Sequence, residues 1–105
     1  MTKSEARAMV AEYLLADSNW AKLIKPVIQD EHTIETEFGW VFFYQSHEFV
    51  TTKDNPLVGN APLIVDKDFC ILVETGTSER TETYIAIYQS NRGNIEGFEG
   101  AISRL

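Results

Sequence analysis

From Phe38 to Tyr44 the chain reads Phe-Gly-Trp-Val-Phe-Phe-Tyr, and it turns apolar again at Leu63-Ile64-Val65. No other segment is apolar enough on both faces to form the centre of a sheet. Side chains on a strand alternate between faces, so the longer run from Thr33 to Gln45 can be tested position by position. The even positions Ile34, Thr36, Phe38, Trp40, Phe42 and Tyr44 form a continuous row expected to face the core. The odd positions start polar at Glu35 and Glu37 and become apolar at Val41 and Phe43. Either something covers Val41 and Phe43, or they are exposed for a partner.

The rest of the chain arranges itself around this strand. Thr2 with Glu5 matches a capping box, and Ala6, Met9, Val10, Tyr13 and Leu14 recur at helical spacing, predicting a helix to about Ala16. Asp17-Ser18-Asn19 is a polar stop, with Trp20 tucked back as a core plug. Pro26–Gln29 is a short strand, and Asp30-Glu31-His32 a turn. His47 to Gly59 is a polar connection. The two runs Leu63–Val65 and Phe69–Val73 flank Asp66-Lys67-Asp68 as a hairpin. A second helix follows, capped by Thr77 or Ser78, carrying Tyr84, Ile85, Ile87 and Tyr88 and ending near Asn91-Arg92-Gly93. The expected order is α-β-β-β-β-α: an α+β domain over residues 1–91, with a mostly antiparallel four-stranded sheet and two helices packed on one face. Residues 92–105 form a glycine-containing C-terminal tail, mobile or strapped over the outer sheet face.

Composition narrows the function classes. Sixteen acidic residues against 9 basic give a net charge of −7. That balance disfavours nucleic acid and anionic membranes, which need cationic patches; it either steers the protein towards a basic partner or simply keeps a small protein soluble. Cys70 is the single cysteine, so no intramolecular disulfide forms, and its apolar neighbours predict a buried, inert thiol. The start of the chain has no apolar signal region and no run long enough to cross a bilayer, which predicts a cytoplasmic protein. His32 and His47 have no metal-ligand spacing, so no metal is expected. Glu35 with Glu37 and Asp66 with Asp68 are read as solvated strand and turn residues before acid–base pairs. Gly59-Asn60-Ala61-Pro62 lacks a phosphate-loop pattern and reads as a turn before a strand. The residues point to an acidic binding module with no catalytic site and no cofactor.

Gly39-Trp40-x-Phe42, Gly59-Asn60-x-Pro62, Ile64-Val65-Asp66, Gly76-Thr77, and Tyr84 with Tyr88 occur in one order along the chain. Together they resemble the immunity protein 35, or YrhB-like, family of bacterial polymorphic toxin systems, over about Ser4 to Gln89. Phe69 stands where that pattern usually has glycine, and Arg80 where it has proline. The resemblance implies a cytoplasmic immunity protein that binds and occludes a cognate toxin without catalysis, and the acidic charge adds the expectation that the toxin presents a basic surface. On that reading Glu35 and Glu37 form an acidic rim and Val41 and Phe43 an apolar anchor for the partner. Gly39, Trp40, Phe42, Gly59, Asn60 and Pro62 serve the fold. The competing expectations are that the tail or a second subunit covers Val41 and Phe43, the latter giving a homodimer, and that the protein acts as a small chaperone for several unfolded clients.

Overall fold

The computed structural model describes residues 1–105. Helix α1 spans Lys3–Leu14 and opens on the capping box: the Thr2 hydroxyl accepts from the Glu5 N–H, and the Glu5 carboxylate accepts from the Thr2 N–H. The polar stop at Asp17 does more than end that helix. Its carboxylate accepts from the Trp20 N–H and so caps a second helix, α2, Ser18–Ile24. Then come β1 (Pro26–Ile28), a 3-10 turn at Asp30–His32, β2 (Ile34–Glu35), β3 (Gly39–Phe42), β4 (Tyr44–Ser46) and α3 (His47–Thr52). The chain ends with β5 (Leu63–Asp66), β6 (Ile71–Glu74), α4 (Thr81–Ser90) and α5 (Ile95–Ser103).

An α+β fold with a four-stranded antiparallel sheet is what the sequence predicts, and the sheet runs β2-β3-β5-β6. Its strands are cut differently, however. The expected single strand from Thr33 to Gln45 is three pieces. Gly39 carries φ +151, and the chain reverses between Thr36 and Gly39, pairing Ile34 with Val41 and Glu35 with Trp40. Only glycine fits here, because a Cβ at Gly39 would lie 2.0 Å from the Val65 carbonyl oxygen. At Phe43 the strand bends away and β4 pairs with β1 as a separate two-stranded sheet. The even-numbered row is therefore split. Trp40 and Phe42 join one core cluster, Ile34 and Phe38 the other.

Helices cover both faces of the sheet, which corrects the expectation of two helices on one face. Ala6, Val10 and Leu14 of α1 pack on Phe42, Leu63 and Val65. Tyr88 of α4 and Phe98 of α5 pack on Phe38, Val41, Ile64 and Val73. The alternation along β5 explains this: Leu63 and Val65 look one way, Ile64 the other, and all three are buried. A strand without a polar face requires a layer on each side. The segment 92–105 supplies half of the second layer. Asn94 caps α5, its side chain accepting from the Gly97 N–H, and Phe98 is fully buried.

Three smaller expectations also change. The connection after Ser46 begins with α3, capped by the Ser46 hydroxyl. Helix α4 starts at Thr81 with no side-chain cap, while Ser78 instead bonds the Tyr84 hydroxyl. Cys70 is exposed, at φ +54 in the β5–β6 turn, because that turn runs from Lys67 to Cys70, taking in two residues expected in the second strand, while Asp66 ends β5.

Candidate protein-binding surface

The four residues expected to meet a partner do not form one surface. Glu35 is exposed and lies 3.6 Å from the Lys3 ammonium. Glu37 is exposed in the turn between β2 and β3. Val41 is 0% exposed beneath α4 and α5, so the anchor role expected for it is excluded. Phe43 is half-buried, edge-on to His32. Covering by the C-terminal segment, the competing expectation, is what Val41 receives. The motif residues do structural work. The Asn60 amide donates to the Tyr44 carbonyl at 2.8 Å, and the Pro62 carbonyl accepts from both the N–H and the hydroxyl of Thr75. These bonds moor the loop after α3 to both sheets.

The largest concavity lies elsewhere, along β6. This strand is an end of the four-stranded sheet, and beside it α1 and α5 stand apart to leave a groove of about 760 Å³. Its apolar walls include Met9 and Tyr13 from α1, Leu72 and Val73 from β6, and Ile95 and Ile102 from α5. Its charged residues are Glu12, Glu74 and Glu99, all exposed, with no lysine, arginine or histidine among its lining. The sequence reading missed this site because its walls come from elements separated by more than half the chain.

A second constellation sits at the other end of β6. The Asp66 side chain is 0% exposed and accepts five hydrogen bonds. Arg92 contributes a bidentate pair at 2.8 and 3.0 Å, Tyr88 its hydroxyl at 2.8 Å, and Asp68 and Phe69 their backbone N–H groups. Arg92 also pairs with Asp68 and lies over the Phe69 ring. Burial on its own would raise the Asp66 carboxyl, but the Arg92, Phe69, Tyr88 and Asp68 donors outweigh it and hold it well below the carboxylate range. The Tyr88 phenol is pushed well up, first by burial and then by its bond to Asp66. With every carboxylate lone pair occupied, the group is a latch joining the β5–β6 turn to the end of α4, with no acid–base capacity to spare.

A family model described as immunity protein 35 matches residues 4–86, more than three quarters of the chain. The chain belongs to the immunity protein 35 family. It is also 40% identical over 59 residues to the uncharacterized protein YrhB of Escherichia coli (strain K12), an alignment covering 54% of this chain and 63% of that relative. The chain thus spans less than two thirds of that relative's length. No solved structure matches the chain.

The immunity protein 35 match takes in α1, both sheets and most of α4, and stops before Tyr88, Arg92 and α5. One wall of the groove and half of the latch therefore lie outside it. In this member no three His, Cys, Asp or Glu side chains converge as metal ligands. No helix is long and apolar enough to cross a membrane. The exposed Cys70 yields a simple check: the native protein should titrate one thiol with a disulfide reagent at the rate of a free surface cysteine, without denaturant. A thiol that reacts only after unfolding would contradict the turn described above.

Proposed function

We propose that this chain is a cytoplasmic immunity protein that binds a cognate toxin domain and blocks it by occupying surface, without chemical turnover. The family match over residues 4–86 carries the reading. Two features of the molecule support it. The net charge of −7 suits a partner with a basic surface and speeds encounter at low salt. A groove with apolar walls and carboxylates at its rim has the makeup of a docking site, in which the apolar part anchors and the charged rim selects.

The test is co-expression, in a susceptible host, with candidate toxin domains from the same genome. Growth should be restored, and the two proteins should co-purify in equimolar amounts, with association slowing ~10-fold or more as salt is raised. Unrelieved growth arrest in cells holding abundant, folded protein would overturn the reading. So would recovery of many substoichiometric clients that increase on heating, which is the behaviour of a chaperone.

A further inference from the structure

We propose that the free edge of β6 receives an extended segment of the toxin as an added strand, a segment with apolar residues at its centre and lysine or arginine flanking them. The partner's identity rests on the immunity reading above; the chemistry of the segment rests on the groove itself.

The backbone supplies the first half of the argument. β6 pairs with β5 in unbroken antiparallel register, Asp66 with Ile71 through Leu63 with Glu74, and beyond it the Thr75 N–H donates to the Pro62 carbonyl. In such a ladder alternate residues turn their backbone groups to the partner strand. Thr75, Val73 and Ile71 therefore bond towards β5, and the N–H and C=O of Leu72 and Glu74 point into the groove. An unpaired row of this kind is a template for another chain, which proteins normally blunt with proline, a bulge or a covering element. β6 has no proline and no bulge, and α1 and α5 flank its edge without closing it.

Side chains supply the second half. A strand added ~4.8 Å beyond β6 would direct its residues alternately to the α1 wall and the α5 wall. Both walls are apolar at the centre, through Met9 and Tyr13 on one side and Ile95 and Ile102 on the other. Each wall also carries an exposed carboxylate, Glu12 between Met9 and Tyr13 on α1 and Glu99 between Phe98 and Ile102 on α5, and Glu74 stands on the edge itself. These three acids exclude the commonest wrong occupant. Two copies pairing through β6 would bring six carboxylates together with no cation between them, whereas a basic segment neutralises the same charges.

Glu74→Pro tests this directly. It removes an N–H that bonds nothing within the fold, at an exposed position of an edge strand where proline is tolerated, and puts a ring in the path of an added strand. Glu74→Gln removes the charge alone. The probe is the acetylated, amidated peptide Lys-Thr-Val-Ile-Val-Thr-Lys, followed by amide NMR at low salt, with Glu-Thr-Val-Ile-Val-Thr-Glu as its control. Shifts should be confined to β6 and to the facing residues of α1 and α5, and the amides of Leu72 and Glu74 should gain protection from exchange. Glu74→Pro, with unfolding temperature unchanged, should weaken binding more than ~10-fold, Glu74→Gln only ~3-fold, a difference that separates backbone pairing from charge. Equal binding of the acidic peptide, shifts away from the groove, or native affinity in Glu74→Pro would overturn the proposal. So would a native dimer that Glu74→Pro dissociates, since the edge would then belong to a second copy. In cells, a folded Glu74→Pro protein that still protects fully against the toxin overturns the groove and leaves the immunity reading standing. A native chain that fails to protect overturns the immunity reading, and the peptide titration then decides the groove alone.

Discussion

Replacing Asp66 with alanine is expected to cost ~3 kcal/mol or more and to lower the melting temperature by at least ~12 °C. The side chain is 0% exposed, and its removal strands four donor groups at once: the Arg92 guanidinium, the Tyr88 hydroxyl, and the N–H groups of Asp68 and Phe69. A buried ion pair adds little over a well-packed apolar pair, but breaking one side of it leaves the other desolvated and unpaired. Arg92 can turn partly to water and keeps Asp68, which sets the expected loss at the lower end of such changes. Tyr88 cannot, since it is 1% exposed and wedged between Phe38 and Phe98. Against a total stability of ~5–15 kcal/mol the loss is large. Urea unfolding of the variant is the direct measurement, and a loss under ~1 kcal/mol would mean the latch is ornamental.

The same carboxyl should shape the acid limb of the stability curve. Its folded value lies well below the ordinary 3.8, so the unfolded chain binds the proton first as pH falls. The stabilisation is fully present above that ordinary value and is lost progressively below it. Asp66→Asn keeps the shape and one acceptor oxygen without the charge. It should be less stable than the native protein at neutral pH, and that difference should shrink as pH drops below 4. Tyr88 works in the opposite sense. A phenol raised above its ordinary 10.0 contributes stability that is complete below that value and declines above it.

What was legible in the sequence, and what was not, follows from the range of the interactions involved. Local chemistry announced itself: the Thr2–Glu5 capping box appears where the residues place it, and the hairpin after Val65 and the apolar helix with Tyr84 and Tyr88 both form, with their turn and start shifted by a few residues. Gly39 was read as a signature residue inside a strand, yet its meaning depends on how close Val65 comes, a contact across the sheet that spacing along the chain does not encode. The doubly apolar strand likewise stated that both faces needed cover without saying what would provide it. Placing Val41 at a partner surface assigned to another protein a layer that this chain supplies for itself. The groove at β6 was beyond reach for the same reason, since Glu12, Glu74 and Glu99 become neighbours only once three elements have packed.

The helix that provides that layer was the segment whose signal composition hid. Ile95, Phe98 and Ile102 follow helical spacing and Asn94 is a good cap, but Gly97 and Gly100 are poor helix formers and read as a tail. Gly97 has a local reason to be there: a Cβ would come within 2.4 Å of the Asn94 amide nitrogen and 2.8 Å of the Asn91 oxygen, so a larger residue would displace the capping side chain. Ending the chain after Asn94 separates the two descriptions. Arg92 and its latch are retained, so only the layer is lost. A tail could be removed at no cost. A core helix cannot, because Phe98 is 0% exposed and packs with Tyr88 at a ring separation of 5.4 Å over Val41, Ile64 and Val73. Phe98→Ala alone should cost ~3–5 kcal/mol, the usual range for emptying a buried aromatic site. The truncated chain should go further, exposing the half of the sheet face that α5 covers, and should show collapsed amide dispersion or concentration-dependent aggregation in place of cooperative unfolding. A truncation that unfolds at the native midpoint with the native denaturant slope would return residues 92–105 to a tail, and would take the α5 wall of the groove with it.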